Sequence, residues 1–189
     1  MQKFTNFENG ARVPLIVRAP WLQSSVGRTT AAIVELIDVY PSVVDLVGLA
    51  PPQGETLDGV SLRPALTDPA VGLKPYALSQ FPRCPADTAN ASMFWKDNMC
   101  EWIERSNFFA MGFSIRTARW RLTQWVKWDG HTLQGNWSAV IGTELYDHAG
   151  DTGSDFDRFE GVNDASRNPG VVKTLSDQLR HAFESEHSA

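Results

Sequence analysis

The sequence predicts an α/β fold that ends in an α+β lobe, and two observations carry this prediction. In the first half, two apolar runs and a helical segment follow one another in the order strand, strand, helix, which is typical of α/β domains. In the second half, a hairpin pattern precedes a closing amphipathic helix, which predicts a small antiparallel sheet covered on one face. The 189 residues, of which 42% are hydrophobic, suffice for one domain or two small lobes.

The first elements are two strands and a helix. Residues 13–20, VPLIVRAP, form a continuous apolar run with prolines near its ends, the pattern of a strand covered on both faces in a mixed or parallel sheet. A second β-branched run at residues 32–36 precedes a helix. Asp38 is a suitable N-cap for this helix and Gly48 a suitable end.

A boundary is predicted between residues 51 and 75, where Pro and Gly are frequent. Within this stretch, LDGVSLRPAL at residues 57–66 predicts a turn and one short helical piece. We therefore divide the chain into residues 1–75, the end of the α/β domain, and residues 76–189, a carboxy-terminal subdomain.

The second half begins with a strand at residues 76–83, followed by a long irregular excursion at residues 84–109. The clearest hairpin lies at residues 111–130, where apolar residues alternate on both sides of a bend. TELYDHAGD, residues 143–151, predicts one more short strand and an acidic turn. The last helix is predicted from helical spacing after Pro169, with Val171, Leu175, Leu179 and Phe183 on one side.

Composition and charge exclude some classes of function. Seventeen Lys and Arg stand against 22 Asp and Glu, a net charge of -5, and no basic cluster resembles a nucleic-acid footprint. No apolar run approaches the roughly 18 residues that a membrane span needs. The first residues lack the basic segment, apolar stretch and cleavage site of a signal peptide, so we expect neither membrane nor nucleic-acid partners and no export signal here.

The two cysteines, Cys84 and Cys100, are too few and too far apart for a zinc site by themselves. Two ordinary thiols is the simpler interpretation, and a disulfide is the alternative. The sequence leaves both open.

A set of catalytic residues is not recognisable in this chain. A hydrolase needs a nucleophile, a group that activates it and a positive site for the developing anion, but no serine lies in a G-x-S-x-G turn and no histidines show H-E-x-x-H spacing. Asp147, His148 and Asp151 offer a possible metal cluster, although an acidic turn after an edge strand is the favoured interpretation. We therefore predict neither catalytic nor metal-ligating residues.

Arginines around the hairpin offer a possible anion-binding patch, with Arg116 and Arg119 as contacts to a glycan or another anion. Arg121 has the same alternation. Charged residues on the solvated face of a sheet give the same pattern, and this is the favoured interpretation. Lys3, ahead of the loop that leads into the run at residues 13–20, is on physical grounds a surface lysine.

Six segments in order resemble the carboxy-terminal part of a sulfatase, most closely the iduronate-2-sulfatase-like group of the alkaline-phosphatase-like superfamily. Each motif is weak alone, and their shared order across nearly the whole chain makes the resemblance specific. The segments are KFTNFENGARVPLIVRAP, VELIDVYPSVVDLVGL, LDGVSLRPAL, ALSQFPR, MGFSIRTARWRLTQWV and ELYDHAGD.

The resemblance implies an incomplete alkaline-phosphatase/sulfatase-like fold: the end of the large mixed sheet, then a small antiparallel sheet packed with a carboxy-terminal helix. In these enzymes the lysine of K-x-[ST]-N-F-[ED] contacts the substrate's sulfate group. That role falls on Lys3, and Thr5, Asn6, Phe7 and Glu8 complete the motif. The implied activity is hydrolysis of a sulfate ester, with a sulfated sugar or small molecule as substrate.

The resemblance also implies a calcium ion held by carboxylates and a formylglycine nucleophile made from cysteine. The nucleophile motif C-x-P-x-R has no match, since Cys84 in CPADT has Pro85 one place too early and Thr88 in the arginine position. The metal ligands of the family precede the motif of Lys3. We therefore expect this chain to be inactive alone and to need an amino-terminal sulfatase portion as its partner. Such enzymes are often exported or lysosomal.

Two other functions stay open. A phosphodiesterase or phosphonate hydrolase of the same superfamily is the alternative chemistry, although the segments SQFPR and MGFSIRT favour the iduronate-type sulfatases. A non-catalytic module that binds sulfated glycans, or another interaction module, would use the arginines and tryptophans of the hairpin without cleaving its ligand.

Overall fold

The computed structural model describes residues 5–84, 100, 103–155 and 158–185. Short 3₁₀ turns lie at Gln23–Ser25, Leu36–Asp38, Arg105–Asn107 and Ala165–Arg167. The helices are α1 (Glu8–Ala11), α2 (Val39–Leu46), α3 (Arg63–Thr67) and α4 (Pro169–Ser185), and the strands are β1 (Tyr76–Arg83), β2 (Ala110–Thr117), β3 (Trp120–Asp129) and β4 (Gln134–Asp147). In this described part of the chain, no helix is both long and apolar enough to cross a membrane.

The described residues form two compact units. The helical unit consists of residues 14–77 and contains α2 and α3. The sheet unit consists of residues 5–13 and the described residues from 78 onward, with most of β1, the other strands, α1 and α4. The predicted domain division, 1–75 and 76–189, stays a prediction.

In the helical unit, α2 has the predicted limits, but the Asp38 side chain makes no cap hydrogen bond to it. Asp38 precedes its first residue, and the buried carboxylate accepts hydrogen bonds from the backbone N–H groups of Glu35 (2.8 Å) and Val60 (2.9 Å). Gly48 follows the helix at a φ of 71°, and the N–H of Leu49 bonds the carbonyl of Val44 at 2.9 Å. This is a Schellman ending, which favours glycine because it needs a left-handed backbone.

The two strands predicted for residues 13–20 and 32–36 do not form, and this part of the prediction is wrong. Neither segment is a strand in the described part of the chain, and Leu36 belongs to the 3₁₀ turn Leu36–Asp38. A strand needs a neighbour for its backbone hydrogen bonds, and an apolar run cannot supply one. Ile16, expected to be buried, is 91% exposed.

The sheet unit contains the predicted antiparallel sheet. The strand order is β1-β2-β3-β4, and the pairs β2–β3 and β3–β4 are antiparallel. The hairpin and the strand at residues 76–83 are therefore confirmed. The last strand is longer than predicted, and its register against β3 shifts on both sides of Val126.

One face of the sheet carries the apolar core of this unit. Ile115, Leu122 and Leu145 are fully buried on it, and the helix α4 packs against β2 and β3. Leu179 of α4 is also fully buried, and the Phe183 ring packs on Phe113 with centroids 4.6 Å apart. Burial of each such side chain stabilises the fold by about 1.5–3 kcal/mol, so the helix and the sheet depend on each other.

The cysteines form a disulfide, which corrects the simpler interpretation of two thiols. Cys84 directly follows β1, and the Cys84–Cys100 bridge joins positions 16 apart in sequence with Cα atoms separated by 5.8 Å. Both residues are buried. The predicted irregular excursion between them lies largely outside the described residues.

Candidate functional site

The opposite face of the sheet is polar, and residues 5–8, the anchor segment, lie against it. The Asn6 amide donates a hydrogen bond to the carbonyl of Gly112 in β2 at 2.9 Å, and the Ser79 hydroxyl donates to Asn6 Oδ1 at 3.2 Å. A Cβ at Gly112 would lie 2.8 Å from Asn6 Nδ2 and 2.6 Å from the Trp125 ring. The close approach of the anchor segment therefore requires glycine at this position.

Phe7 and Tyr146 continue this contact toward β4. Their rings meet edge to face with centroids 5.7 Å apart, an arrangement that aromatic pairs prefer. Burial, together with the nearby carboxylates of Glu144 and Glu160, raises the pKa of the Tyr146 phenol above its usual range. The phenol is therefore a neutral group at physiological pH, and we assign it a packing role.

Glu8 carries the strongest polar contacts of the site. Its carboxylate Oε1 accepts hydrogen bonds from Arg116 Nε and Arg121 Nη2, both at 2.6 Å, and the residue is 3% exposed. Burial opposes ionisation of this carboxyl, but the charge of Arg121 and the hydrogen bond and charge of Arg116 outweigh burial and lower the pKa of Glu8 to about 2. Glu8 is therefore ionised and fixed between two cations.

Glu160 forms a second ion pair with Arg121. Its Oε1 lies 2.6 Å from Arg121 Nε, and its Oε2 accepts the backbone N–H of Glu8 at 2.7 Å. His148, fully buried at its side chain, places Nε2 3.3 Å from Glu160 Oε1. Arg121 is therefore shared by two carboxylates, and the histidine approaches one of them.

Asp151 completes this arrangement. Its Oδ2 lies 3.0 Å from His148 Nδ1 and 3.7 Å from both Arg12 Nη1 and Arg116 Nη2. Burial would raise the pKa of Asp151, but the His148 hydrogen bond and the Gly153 N–H keep it below its ordinary value. We call the seven charged and titratable side chains the ion-pair network: Glu8, Arg12, Arg116, Arg121, His148, Asp151 and Glu160.

Glu8, His148 and Glu160 bring three possible metal-ligand atoms within 4.8 Å of one another. The arrangement does not fit calcium, which takes six to eight oxygen ligands. Arginine nitrogens already lie 2.6 Å from the carboxylate oxygens of Glu8 and Glu160, and their positive charge opposes a second cation. The network is an ion-pair cluster that holds the anchor segment, and we derive no metal chemistry from it.

Comparison with known proteins identifies the relatives of this chain. It is 27% identical to the iduronate 2-sulfatase of Mus musculus over 187 residues, covering 76% of this chain and 32% of that protein. It is 32% identical to the arylsulfatase K of Danio rerio over 104 residues, covering 53% of this chain and 18% of that protein. Both alignments fall in the carboxy-terminal part of the relative.

The chain resembles the carboxy-terminal part of sulfatases. The predicted resemblance is thereby confirmed, although no protein-family model matches the chain. The chain spans about a third or less of the sulfatases named above.

The sulfatase fold is also supported by a solved structure. The yidJ protein of Bacteroides fragilis, which is assigned to the sulfatases, superposes with a TM-score of 0.52 at 15% identity, covering 82% of this chain and 26% of that one. The predicted fold class, a partial α/β sulfatase fold with a small antiparallel sheet and a carboxy-terminal helix, is therefore confirmed.

The site residues predicted from the sequence lie in different surroundings. Lys3 lies outside the described residues. Arg116 is part of the ion-pair network. Arg119 is exposed and donates two hydrogen bonds to the Asp147 carboxylate, from Nε to Oδ1 at 3.0 Å and from Nη2 to Oδ2 at 2.7 Å. Arg119 also lies over the Trp120 ring, 4.8 Å from its centroid. The role of Arg116 and Arg119 as anion or glycan contacts stays a prediction.

The structure separates the acidic turn that the sequence grouped together. Asp147 pairs with Arg119 near the surface, whereas His148 and Asp151 point into the ion-pair network. Sequence reasoning missed this network. The available signal was the acidic last position of the sulfatase motif, Glu8, which needs a cation when it is buried.

Proposed function

We propose that this chain forms the carboxy-terminal part of a sulfuric ester hydrolase and that Lys3 contacts the sulfate group of its substrate. The main support for this proposal is that the anchor segment is held against the sheet: Asn6 is 4% exposed and Glu8 3%. The residues that follow Lys3 are thus tied to a rigid sheet, which a substrate-binding side chain needs if it is to keep its position. Similarity to sulfatases supports the same assignment.

A lysine suits this role for electrostatic reasons. Cleavage of a sulfate ester increases negative charge on the sulfuryl oxygens and on the leaving oxygen. An ammonium group aimed at these oxygens makes charge-assisted hydrogen bonds that strengthen in the transition state. We propose Lys3 as that group and a sulfated sugar as the class of substrate, in keeping with the name of the iduronate 2-sulfatase to which the chain is similar.

The formylglycine nucleophile and the calcium ion belong to a proposed amino-terminal sulfatase portion. Cys84 is excluded as the nucleophile precursor because it is bonded to Cys100. The carboxylates of the ion-pair network are occupied by arginines. We therefore propose that this chain contributes the sulfate contact, while a partner portion supplies the nucleophile and the metal.

The experiment is a binding titration of the purified chain, labelled with ¹⁵N, against a sulfated monosaccharide. Lys3→Ala should weaken binding by about tenfold, the loss expected for one charge-assisted hydrogen bond. Lys127→Ala is the matched control, because Lys127 is an exposed lysine on β3. Equal affinities for these two variants would contradict the sulfate contact.

Two further measurements separate the alternatives. We expect no hydrolysis of an aryl sulfate by this chain with calcium present, and turnover would show that the assignment of the nucleophile to a partner portion is wrong. Tighter binding of a phosphate ester than of the matched sulfate ester would favour the phosphodiesterase or phosphonate hydrolase.

A further inference from the structure

Arg83, at the end of β1, differs from the other sheltered arginines of the described chain. Three arginines in that part are not exposed: Arg83, Arg116 and Arg121. The last two have carboxylate oxygens at 2.6 Å, whereas Arg83 has no carboxylate within 4.0 Å among the described residues. A sheltered charge normally has a counterion in contact, and among these residues Arg83 has only the charge of Glu144 acting on it, without a salt bridge.

The guanidinium of Arg83 is held by aromatic rings. It lies 4.4 Å from the centroid of Trp125 and 5.5 Å from that of Phe81, both within the range of a cation–π contact. Burial lowers the pKa of the Arg83 guanidinium from its ordinary value, although the group stays protonated. A cation–π contact does not use up the N–H donors of a guanidinium, so these donors can bind a planar oxyanion.

Arg83 shares a face of the sheet with the anchor segment. Ser79 and Arg83 are four residues apart in β1 and therefore point to the same side. Ser79 bonds Asn6, and Trp125, the platform for Arg83, lies opposite Gly112, which accepts the Asn6 hydrogen bond. The guanidinium is thus on the side of the sheet that carries the motif of Lys3.

We propose that Arg83 binds a second anionic group, a carboxylate or a further sulfate, on the ligand whose sulfate Lys3 contacts. This inference rests on the proposed function. It assigns to Arg83 the selection of sulfated sugars that carry two negative groups over those that carry one. The stacked guanidinium is set to make two parallel N–H to oxygen bonds, which a lysine at the same position would not reproduce.

The carboxylate of Glu144 lies near this subsite and weakens its affinity for anions. Its carboxylate accepts a hydrogen bond from Trp125 Nε1 at 3.3 Å, so it lies beside the platform of Arg83. Burial raises the pKa of Glu144 above its ordinary value, even though this hydrogen bond and the charge of Arg83 act in the opposite direction. A negative charge here opposes an anionic ligand, so Glu144→Gln should strengthen binding at neutral pH.

The test uses the full chain and three sugars: a sulfated uronate disaccharide, its carboxyl-reduced counterpart and its desulfated counterpart. Affinities are measured by calorimetry or by amide chemical shifts, which also verify that each variant is folded. Arg83→Ala should weaken binding of the first sugar about tenfold or more. Arg83→Lys should recover little of this loss, and Arg180→Ala, at an exposed arginine of α4, is the control.

The source of the second anion follows from the sugars. If Arg83→Ala weakens only the sugars that keep the carboxylate, Arg83 binds the carboxylate; if it weakens only those that keep the sulfates, Arg83 binds a further sulfate. Arg83→Ala affinities equal to those of Arg180→Ala for every sugar would overturn the inference. If Lys3→Ala alone weakens binding, the Arg83 inference fails and the proposed function stands. If Arg83→Ala alone does so, Arg83 binds an anion but the Lys3 contact fails, which overturns the proposed function and, with it, the assignment of Arg83 to a second anionic group. No binding of any sugar overturns both.

Discussion

Glu8 and Arg121 are 113 positions apart in sequence, and their side chains meet at 2.6 Å between Oε1 and Nη2. The contact joins the end of the sulfatase motif to the middle of the sheet. Arg121 also forms an ion pair with Glu160, which accepts the backbone N–H of Glu8. The position of the motif is therefore determined by residues from two other, distant parts of the chain.

Replacing Glu8 with Gln should destabilise the sheet unit by about 3 kcal/mol. Removal of one partner of a buried ion pair leaves the opposite charges uncompensated, and such changes cost about 3–5 kcal/mol. The remaining Arg121–Glu160 pair places the expected value at the lower end. The free energy of unfolding is measured with urea and tryptophan fluorescence.

The control for this change is Asp177→Asn on α4. Asp177 pairs with Lys173 at 2.9 Å, but both side chains are exposed, so the change should cost no more than about 0.5 kcal/mol. Equal unfolding free energies for the Glu8 and Asp177 variants would show that the buried pairs add nothing to stability.

The stabilisation by Glu8 should disappear in acid. The pKa of Glu8 is about 2 in the folded chain and 4.5 ordinarily, so its ionised form is favoured by folding. Its contribution is fully present above pH 4.5 and is lost as the pH falls through the folded value. The difference in unfolding free energy between the native chain and Glu8→Gln should therefore be constant above pH 4.5 and shrink below it. A difference that grew toward pH 2 would contradict this sign.

The Cys84–Cys100 disulfide should contribute about 3 kcal/mol to stability, the value expected for closing a loop of about 15 residues. A reducing agent should lower the urea midpoint of the native chain. The double variant with serine at both positions should already have the lower midpoint and should not respond to the reductant. Two free thiols titrated in the oxidised, folded chain would contradict the bridge.

The sheet and α4 were predictable because their signals are periodic and local. Ile115 and Leu122 each belong to a strand in which apolar residues occupy most alternate positions, and the two face each other across β2 and β3. Leu175 and Leu179 repeat at helical spacing. Each pattern states which side of an element is apolar, and the two apolar sides then pack together. The end of α2 was predictable for a similar reason, since Gly48 acts on its own neighbours, whereas the carboxylate of Asp38 bonds Glu35 and Val60 and does not cap the helix.

The ion-pair network was not predictable in this way. Arg116 and Arg121 alternate along β2 and β3 as they would on a solvated face, and nothing near them in sequence shows that another segment covers that face. Their partner, Glu8, comes from the opposite end of the chain. Arg83 was missed because a cation is recognised by its counterion, and the described residues supply none within 4.0 Å.

The strands predicted at residues 13–20 and 32–36 are absent because the described chain supplies no partner strand for them. An apolar run predicts that a segment is buried, but it does not identify the element that buries it. In the helical unit this surface remains open: Ile16 is 91% exposed and Leu36 74%. Backbone without a paired strand also offers unused N–H and carbonyl groups to another chain.

The purified chain should therefore self-associate through residues of the helical unit. Exposed apolar surface of this kind marks an interaction site or an aggregation liability. Ile16→Lys combined with Leu36→Lys should shift the chain toward monomer, as measured by light scattering after size exclusion at several concentrations. Val162→Lys is the matched control, because Val162 is 59% exposed but belongs to the sheet unit. A native chain that stays monomeric at every concentration, or a control variant that acts equally, would show that this apolar surface does not drive association.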